Sequence, residues 1–300
     1  MKELVVISGK GGTGKTSITA AFASLAQNSL LCDSDVDAAD LHLLLCPQVR
    51  EQHDFIGGSK AEIDQQRCTG CGICVERCQF SAISKDFVVD PLECEGCGVC
   101  RAFCPDDAIT FTPRTCGAWF ISDTRFGPMV HARLGIGEEN SGKLVSVIRK
   151  AARELAEDRG YRLTVTDGPP GIGCPVFAAI PGATAVLIVV EPTLSGLHDM
   201  ERVADLAAHF RIPAMVCINK YDLNRDMTAV IEAQSSRRDL LSVGRIPFDS
   251  SFTRAMVEAQ TIHEYSPGSD LSKIVESIWH NIMTAECMNK PERHVLPTIR

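Results

Sequence analysis

The chain has 300 residues, 45% of them hydrophobic, and a formal net charge of −8. That length suits one large domain plus a small one, and the acidic balance argues against a broad nucleic-acid footprint, which needs a basic face. No apolar run approaches the ~18 residues needed to span a bilayer, and fourteen cysteines point to metal or redox use rather than disulfides.

The chain enters an apolar strand at once, over residues 4–8, with no signal peptide ahead of it, which predicts a cytoplasmic protein. A glycine-rich turn follows, Gly9-Lys10-Gly11-Gly12-Thr13-Gly14-Lys15-Thr16, and then a helix over 15–26. Strand, glycine turn and helix form the setting that a phosphate-binding loop requires. The backbone N–H groups around Gly11, Gly12, Thr13 and Gly14 can approach phosphate closely, and the helix N-terminus adds a favourable dipole. Lys15 is expected to reach the β- and γ-phosphates and Thr16 to place its hydroxyl on Mg²⁺. Ser17 completes the candidate nucleotide set.

A short strand over 30–32 ends at Asp33-Ser34-Asp35-Val36-Asp37. Carboxylates at a strand exit can hold Mg²⁺ through water and orient the attacking water. Asp35 is the first candidate and Asp37 the second, with helix capping as the other role for Asp37. Near Arg50 the α/β pattern breaks. Residues 56–112 are expected to form an insert, residues 1–55 and 113–288 an ATPase domain, and residues 289–300 a loose tail. Beyond Cys116 the alternation returns, with a helix over 143–158, strands over 162–166, 183–190, 214–218 and 241–246, and helices over 197–210 and 227–234. This implies an α/β fold with a mainly parallel, doubly wound sheet. Asp167-Gly168-Pro169-Pro170-Gly171 follows one strand, and its Pro-Pro-Gly is expected to make a stiff turn. Asn219-Lys220 and Pro247-Phe248-Asp249 follow two others.

The insert carries two copies of one spacing, C-x₂-C-x₂-C-x₃-C, at Cys68, Cys71, Cys74, Cys78 and at Cys94, Cys97, Cys100, Cys104. This is the two-cluster ferredoxin run, in which the fourth cysteine ligates the other cluster. One [4Fe–4S] site would use Cys68, Cys71, Cys74 and Cys104, and the other Cys94, Cys97, Cys100 and Cys78. Zinc prefers CxxC pairs at longer separation. Pro105 follows Cys104 but Gln79 follows Cys78, so the two sites are expected to differ in local hydration. With few core residues, the insert's fold is expected to depend on metal.

The string from Lys10 to Thr16 resembles the deviant phosphate loop of the MinD/ParA ATPases, a group that includes the nitrogenase iron protein and Mrp-type cluster carriers. The whole chain resembles members of that superfamily that carry an inserted ferredoxin domain. The resemblance implies a P-loop NTPase sheet with a small α+β dicluster ferredoxin insert, and MgATP/ADP plus two [4Fe–4S] clusters as cofactors. It implies a nucleotide-sandwich homodimer, or a heterodimer with a related ATPase, in which Lys10 reaches the partner's phosphates. It places the first switch at Asp35 and Asp37, the second at Asp167, and the adenine side at Asn219, Lys220 and Pro247. Slow ATP hydrolysis gating electron transfer to a redox partner is the leading functional expectation. Cluster delivery to an acceptor protein and a ParA-like positioning role with structural clusters are the alternatives.

Other residues carry less. Cys174 is read as a buried thiol beside the second switch, and Cys32, Cys46 and Cys217 as small core residues. His131 is expected in a strand, in a core or supporting polar role. Ile274, Val275, Ile278, Trp279 and Ile282 recur at helical spacing and are read as a closing core helix rather than a membrane anchor.

Overall fold

Residues 1–135 and 140–289 are described by the computed structural model, so the expected loose tail beyond Asn289 lies outside the described residues. Nine strands appear in chain order: β1 (Lys2–Ser8), β2 (Ser29–Asp33), β3 (Gln48–Ile63), β4 (Ile109–Thr124), β5 (Gly127–Leu134), β6 (Leu163–Pro170), β7 (Ala185–Val190), β8 (Ala214–Asn219) and β9 (Leu241–Ile246). They form one sheet in the order β3-β4-β5-β2-β6-β1-β7-β8-β9. β1 runs parallel to β6 and β7, β2 to β5 and β6, and β8 to β7 and β9.

The chain forms two compact units. The larger comprises Met1–Gln52, Phe120–Ala132 and Ser141–Arg300. Its central strands are near-continuous apolar runs, Leu4-Val5-Val6-Ile7 and Ala185-Val186-Leu187-Ile188-Val189-Val190, all buried. Burial on both faces is why they read as continuous rather than alternating. The helix Lys15–Leu25 inserts Ile18 and Phe22 into this core, and Phe22 meets Trp279 with ring centroids 5.2 Å apart. The helix Asp270–Thr284 buries Val275, Ile278 and Ile282, so its apolar stripe closes the core as expected. Among the described residues no helix is long and apolar enough to cross a membrane.

The smaller unit comprises His53–Trp119 and Arg133–Asn140. Its core is slight: Ala61, Cys74, Ile83, Cys100 and Ile109, with Ile63, Phe87 and Phe111 packed around them. Two short helices, Ile73–Arg77 and Val99–Ala102, each begin at a left-handed glycine, Gly72 and Gly98.

Two features depart from the sequence reading. At the expected break near Arg50 a strand, β3, runs through for 16 residues, and the smaller unit begins within it at His53. Only Phe55, Gly57 and Ala61 of that strand are buried, so it offers almost no apolar alternation to read. The Pro-Pro-Gly segment is also not a turn throughout. Pro169 and Pro170 still belong to β6, and the chain leaves the strand at Gly171, whose N–H donates to the Ser8 carbonyl at 2.9 Å.

Candidate functional site

The carboxyl ends of β1, β2, β6, β7 and β8 deliver the candidate residues, the edge where open α/β sheets bind ligands. Leaving β1, the loop turns through Gly12 and Gly14 at φ of 81° and 86°. Side chains added at Gly11 or Gly12 would meet nothing within 4 Å, so the loop's face is open. Gly14 differs, because an added Cβ would stand 2.5 Å from Asn219 Nδ2. That amide donates to the Thr13 carbonyl at 2.7 Å, and Lys220 Nζ donates to the Gly12 carbonyl at 3.0 Å. Asn219 and Lys220 therefore brace the loop from beneath in this structure. Lys220 itself takes φ of 57°, an unusual conformation for a residue with a side chain.

Lys15 is buried at the centre of the site, with Nζ 2.9 Å from Asp167 Oδ1 and 3.4 Å from Asp35 Oδ2. Thr16 Oγ1 donates to Asp167 Oδ2 at 2.8 Å, and Thr19 Oγ1 lies 2.9 Å from Asp167 Oδ1. Burial disfavours the Lys15 ammonium, but Asp167 and then Asp35 outweigh it and raise its pKa. Asp35 is pushed up to about 6, chiefly by burial, with repulsion from Asp167 adding and Lys15 opposing.

Sequence reasoning passed over three members of this group. Asp33 is fully buried and pairs in register with Asp167 across β2 and β6, which sets two carboxylates side by side. Burial first, then Asp167, holds its pKa well above the usual carboxylate range. Thr19 is the second, one helical turn beyond Lys15. Glu191 is the third, at the exit of β7. It lies 3.8 Å from Lys10 Nζ and forms a short ion pair with Lys220. The signal for Glu191 was its position, directly after an apolar strand that ends at the carboxyl edge. Lys10 Nζ also donates to Ser195 Oγ at 3.3 Å.

The remaining candidates lie farther out. Asp37 is exposed and makes no contact with the Lys15 group. Ser17 Oγ contacts Met256 Sδ at 3.0 Å, and Pro247 is half-buried at the exit of β9. Cys32 and Cys217 are buried, with burial pushing the Cys217 thiol up to about 12, but Cys46 is exposed at the left-handed end of a short helix. Cys174 is also exposed rather than buried, at the first position of the helix Cys174–Ala179. His131 is buried, with Nε2 2.9 Å from Ser122 Oγ and its ring stacked on Phe120.

The donor set fits a magnesium–nucleotide ligand. Thr13 Oγ1 and Asp33 Oδ2 are buried without a hydrogen-bond partner, and the loop above them is open. Thr16, Asp35 and Asp167 present hard oxygen donors beside that opening. Among the described residues no three His, Cys, Asp or Glu side chains converge to hold a bare ion. Magnesium commonly relies on waters and substrate phosphates for the rest of its shell.

In the smaller unit, two cavities gather the eight thiols. One is lined by Cys68, Cys71, Cys74 and Cys104, with Phe87 and Ile109. The other is lined by Cys78, Cys94, Cys97 and Cys100, with Phe80 and Phe111. Each cavity thus takes three thiols from one run and the fourth from the other. Burial raises the pKa of Cys74 and of Cys100. Four thiols around an apolar hollow fit an iron–sulfur cube, whose ligands stand at its corners rather than around one point.

Comparison with known proteins agrees with the nucleotide site. Residues 4–262 match CbiA, the CobQ/CobB/MinD/ParA nucleotide binding domain. Uncharacterized protein MJ0578 of Methanocaldococcus jannaschii is 34% identical over 225 residues, covering 74% of this chain and 79% of that protein. Uncharacterized protein MJ0579 of the same organism is 24% identical over 289 residues, covering 93% and 97%. Among solved structures, the cell division ATPase MinD of Pyrococcus furiosus aligns with a TM-score of 0.58 at 18% identity, covering 94% of this chain and 98% of that one. The septum site-determining protein MinD complexed with Mg-ADP from Pyrococcus horikoshii OT3 aligns with a TM-score of 0.59 at 17% identity, covering 94% and 96%. With its β1–loop–helix, its buried Lys15 and a family match across nearly all of its sheet, the chain belongs to the CobQ/CobB/MinD/ParA nucleotide-binding family and has the α/β P-loop NTPase fold of MinD.

Proposed function

We propose that this protein is an ATP-hydrolysing dimer that carries two [4Fe–4S] clusters, and that its nucleotide state gates electron transfer through them to a partner protein. The observation that carries the reading is the sorting of eight thiols into two cavities, each with one cysteine exchanged between the runs. Cys68, Cys71, Cys74 and Cys104 would hold one cluster, and Cys94, Cys97, Cys100 and Cys78 the other. A bound [4Fe–4S] cluster supplies a one-electron couple set by its charge, hydrogen bonds and exposure. On this reading the smaller unit is a dicluster ferredoxin domain, a feature that also relates the chain to cluster-carrying members of the superfamily.

The chain's own residues supply the ATPase chemistry, which rests on positioning and charge stabilisation. The loop amides around Gly11–Gly14 cradle phosphate. Lys15 turns from Asp167 and Asp35 to the β- and γ-phosphates, while Thr16, Asp35 and Asp167 would hold Mg²⁺ directly or through water. Asp35, with its raised pKa, orients the attacking water. Lys10 leaves Glu191 and Ser195 to reach the phosphates of the facing subunit. Pro247 and the residues around Lys220 border the base. The facing subunit is a second copy or a related ATPase; one organism holding both MJ0578 and MJ0579 supports the second arrangement.

A ParA/MinD-like positioning ATPase with structural clusters is the second reading, favoured by the MinD fold match. An anaerobic EPR redox titration with Mg-ADP and then with a non-hydrolysable MgATP analogue separates the two. A shift of about 59 mV, equivalent to ~1.4 kcal/mol for one electron, is expected if nucleotide energy reaches the clusters. Identical potentials, together with partner binding unchanged by Cys97→Ser, would replace the redox reading with the positioning one.

A further inference from the structure

The two thiol cavities are built by one repeat, with Cys68 and Cys94, Cys71 and Cys97, Cys74 and Cys100, and Cys78 and Cys104 each 26 residues apart. The backbone keeps the repeat closely. Gly72 and Gly98 have φ of 80° and 81°, and Ser81 and Asp107 have φ of 54° and 48°. The Cys68 amide donates to Asp64 O at 3.0 Å, and its counterpart at Cys94 donates to Asp90 O at 3.1 Å.

The side chains depart from the repeat where the loop of Cys68 meets that of Cys104. At the first cavity, Thr69 Oγ1 donates to Asp106 Oδ2 at 2.5 Å, and Arg67 Nη2 donates to the Asp106 carbonyl at 3.1 Å. The same guanidinium lies 3.6 Å from Asp107 Oδ2. These contacts tie the segment carrying Cys68 to the segment carrying Cys104, the two pieces of chain that reach this cavity from opposite runs. At the second cavity the four equivalent positions are Glu93, Glu95, Phe80 and Ser81. No side-chain hydrogen bond or ion pair joins them among the described residues. A carboxylate and a phenyl ring stand where the first site has a hydroxyl and a carboxylate. The sulfur environment differs as well, since the Ala108 amide approaches Cys104 Sγ at 3.3 Å and the matching amide of Ala82 makes no such contact with Cys78.

Resting on the cluster reading above, we infer that the two sites are not equivalent: Arg67, Thr69 and Asp106 clamp the first shut over its cluster, and the unclamped second site, Cys78, Cys94, Cys97 and Cys100, is the one that exchanges iron. To release iron, a ligand-bearing segment must lift from its neighbour. At the first site that motion breaks a hydroxyl–carboxylate hydrogen bond and the Arg67 contacts, surface interactions that water weakens. At the second, among the described residues, it breaks no side-chain hydrogen bond or ion pair; the Arg77–Phe103 cation–π contact, 4.7 Å to the ring centroid, joins the two runs at both sites alike. The first centre is therefore resident and the second exchangeable.

The test is an anaerobic challenge of the purified, iron-loaded full chain with an Fe(II) chelator, following chelate colour and the EPR signal of the remaining cluster. Two release phases of equal amplitude are expected. Thr69→Val is expected to speed the slow phase about two- to fivefold and leave the fast phase alone. The paired change Phe80→Asp with Glu95→Thr, which writes the clamp into the second site, is expected to slow the fast phase. A single phase in the native protein, or a Thr69→Val protein with both rates unchanged, overturns the inference. A protein that loads no iron sinks the cluster reading itself; a fully loaded protein that empties in one phase leaves that reading standing and sinks only this one.

Discussion

Glu191 holds Lys10: its carboxylate lies 3.8 Å from Lys10 Nζ and also pairs with Lys220, the lysine that braces the Gly12 carbonyl. The residue proposed to act on a facing subunit is thus engaged within its own chain. Lys10 is 40% exposed, so this contact is weak and screened by water. Glu191→Gln removes the competing charge and is expected to tighten ATP-dependent dimerisation about two- to fivefold. Sedimentation with a non-hydrolysable ATP analogue measures this, and Lys10→Ala is expected to abolish the ATP-dependent dimer. Unchanged dimerisation in both variants would remove Lys10 from the interface.

The Lys15 group makes a stability prediction without nucleotide. Lys15 faces Asp35 and Asp167, with Asp33 buried beside them. Removing one partner of a buried ionic group leaves uncompensated charge at a cost of about 3–5 kcal/mol. Lys15→Ala is expected to lose stability on that scale at pH 8, in addition to its ATPase activity. Asp33→Asn, which substitutes an isostere for a carboxyl that resists ionising, is expected to raise the unfolding midpoint there. Urea titrations of both variants check this; equal midpoints would mean the carboxylates are better hydrated than their burial implies.

His131 predicts a pH dependence. Burial is the main cause, with His42 second, that lowers its pKa from 6.5 to about 4. Between those values the unfolded chain binds a proton that the folded one does not, so stability falls as pH drops through this window and levels off below it. At ~1.4 kcal/mol per pH unit the loss from this group approaches about 3 kcal/mol. Replacement by Gln, which can keep the Ser122 contact, is expected to flatten the slope between pH 6.5 and 4 in chemical denaturation.

Gly96 tests the packing of the second thiol cavity. Its φ is 63°, and an added Cβ would stand 2.2 Å from the Ser59 carbonyl oxygen of β3. Gly72 has φ of 80° with nothing within 4 Å, so it shares the backbone strain without the collision. Gly96→Ala is expected to lower iron content by about half with the fold of the larger unit kept, and Gly72→Ala to lower it less. Iron analysis with circular dichroism reads both, and equal losses would assign the effect to backbone conformation alone.

Much of the larger unit was legible because its signals are local. Glycines next to Lys15 and Thr16 after an apolar run, and apolar strands alternating with helical periods, depend only on neighbours in sequence. The cysteine spacing was legible for the same reason, since a repeat of short loops needs no knowledge of distant packing. β3 was not, because a strand with polar residues along both faces takes its identity from partners it pairs with elsewhere. Cys174 was read as buried from its place in sequence beside Asp167, whereas exposure is set by how the chain leaves the strand.

By itself the sequence determined the phosphate loop, the parallel α/β architecture and the eight-thiol repeat, all properties of local spacing and hydrophobic period. Only the tertiary structure decided that Asp33 lies against Asp167, that Glu191 collects both Lys10 and Lys220, and that Thr69 meets Asp106 at one cavity. Each joins residues from separate strands or loops. Strand register and loop closure, rather than distance along the chain, bring their charges and hydroxyls within bonding range.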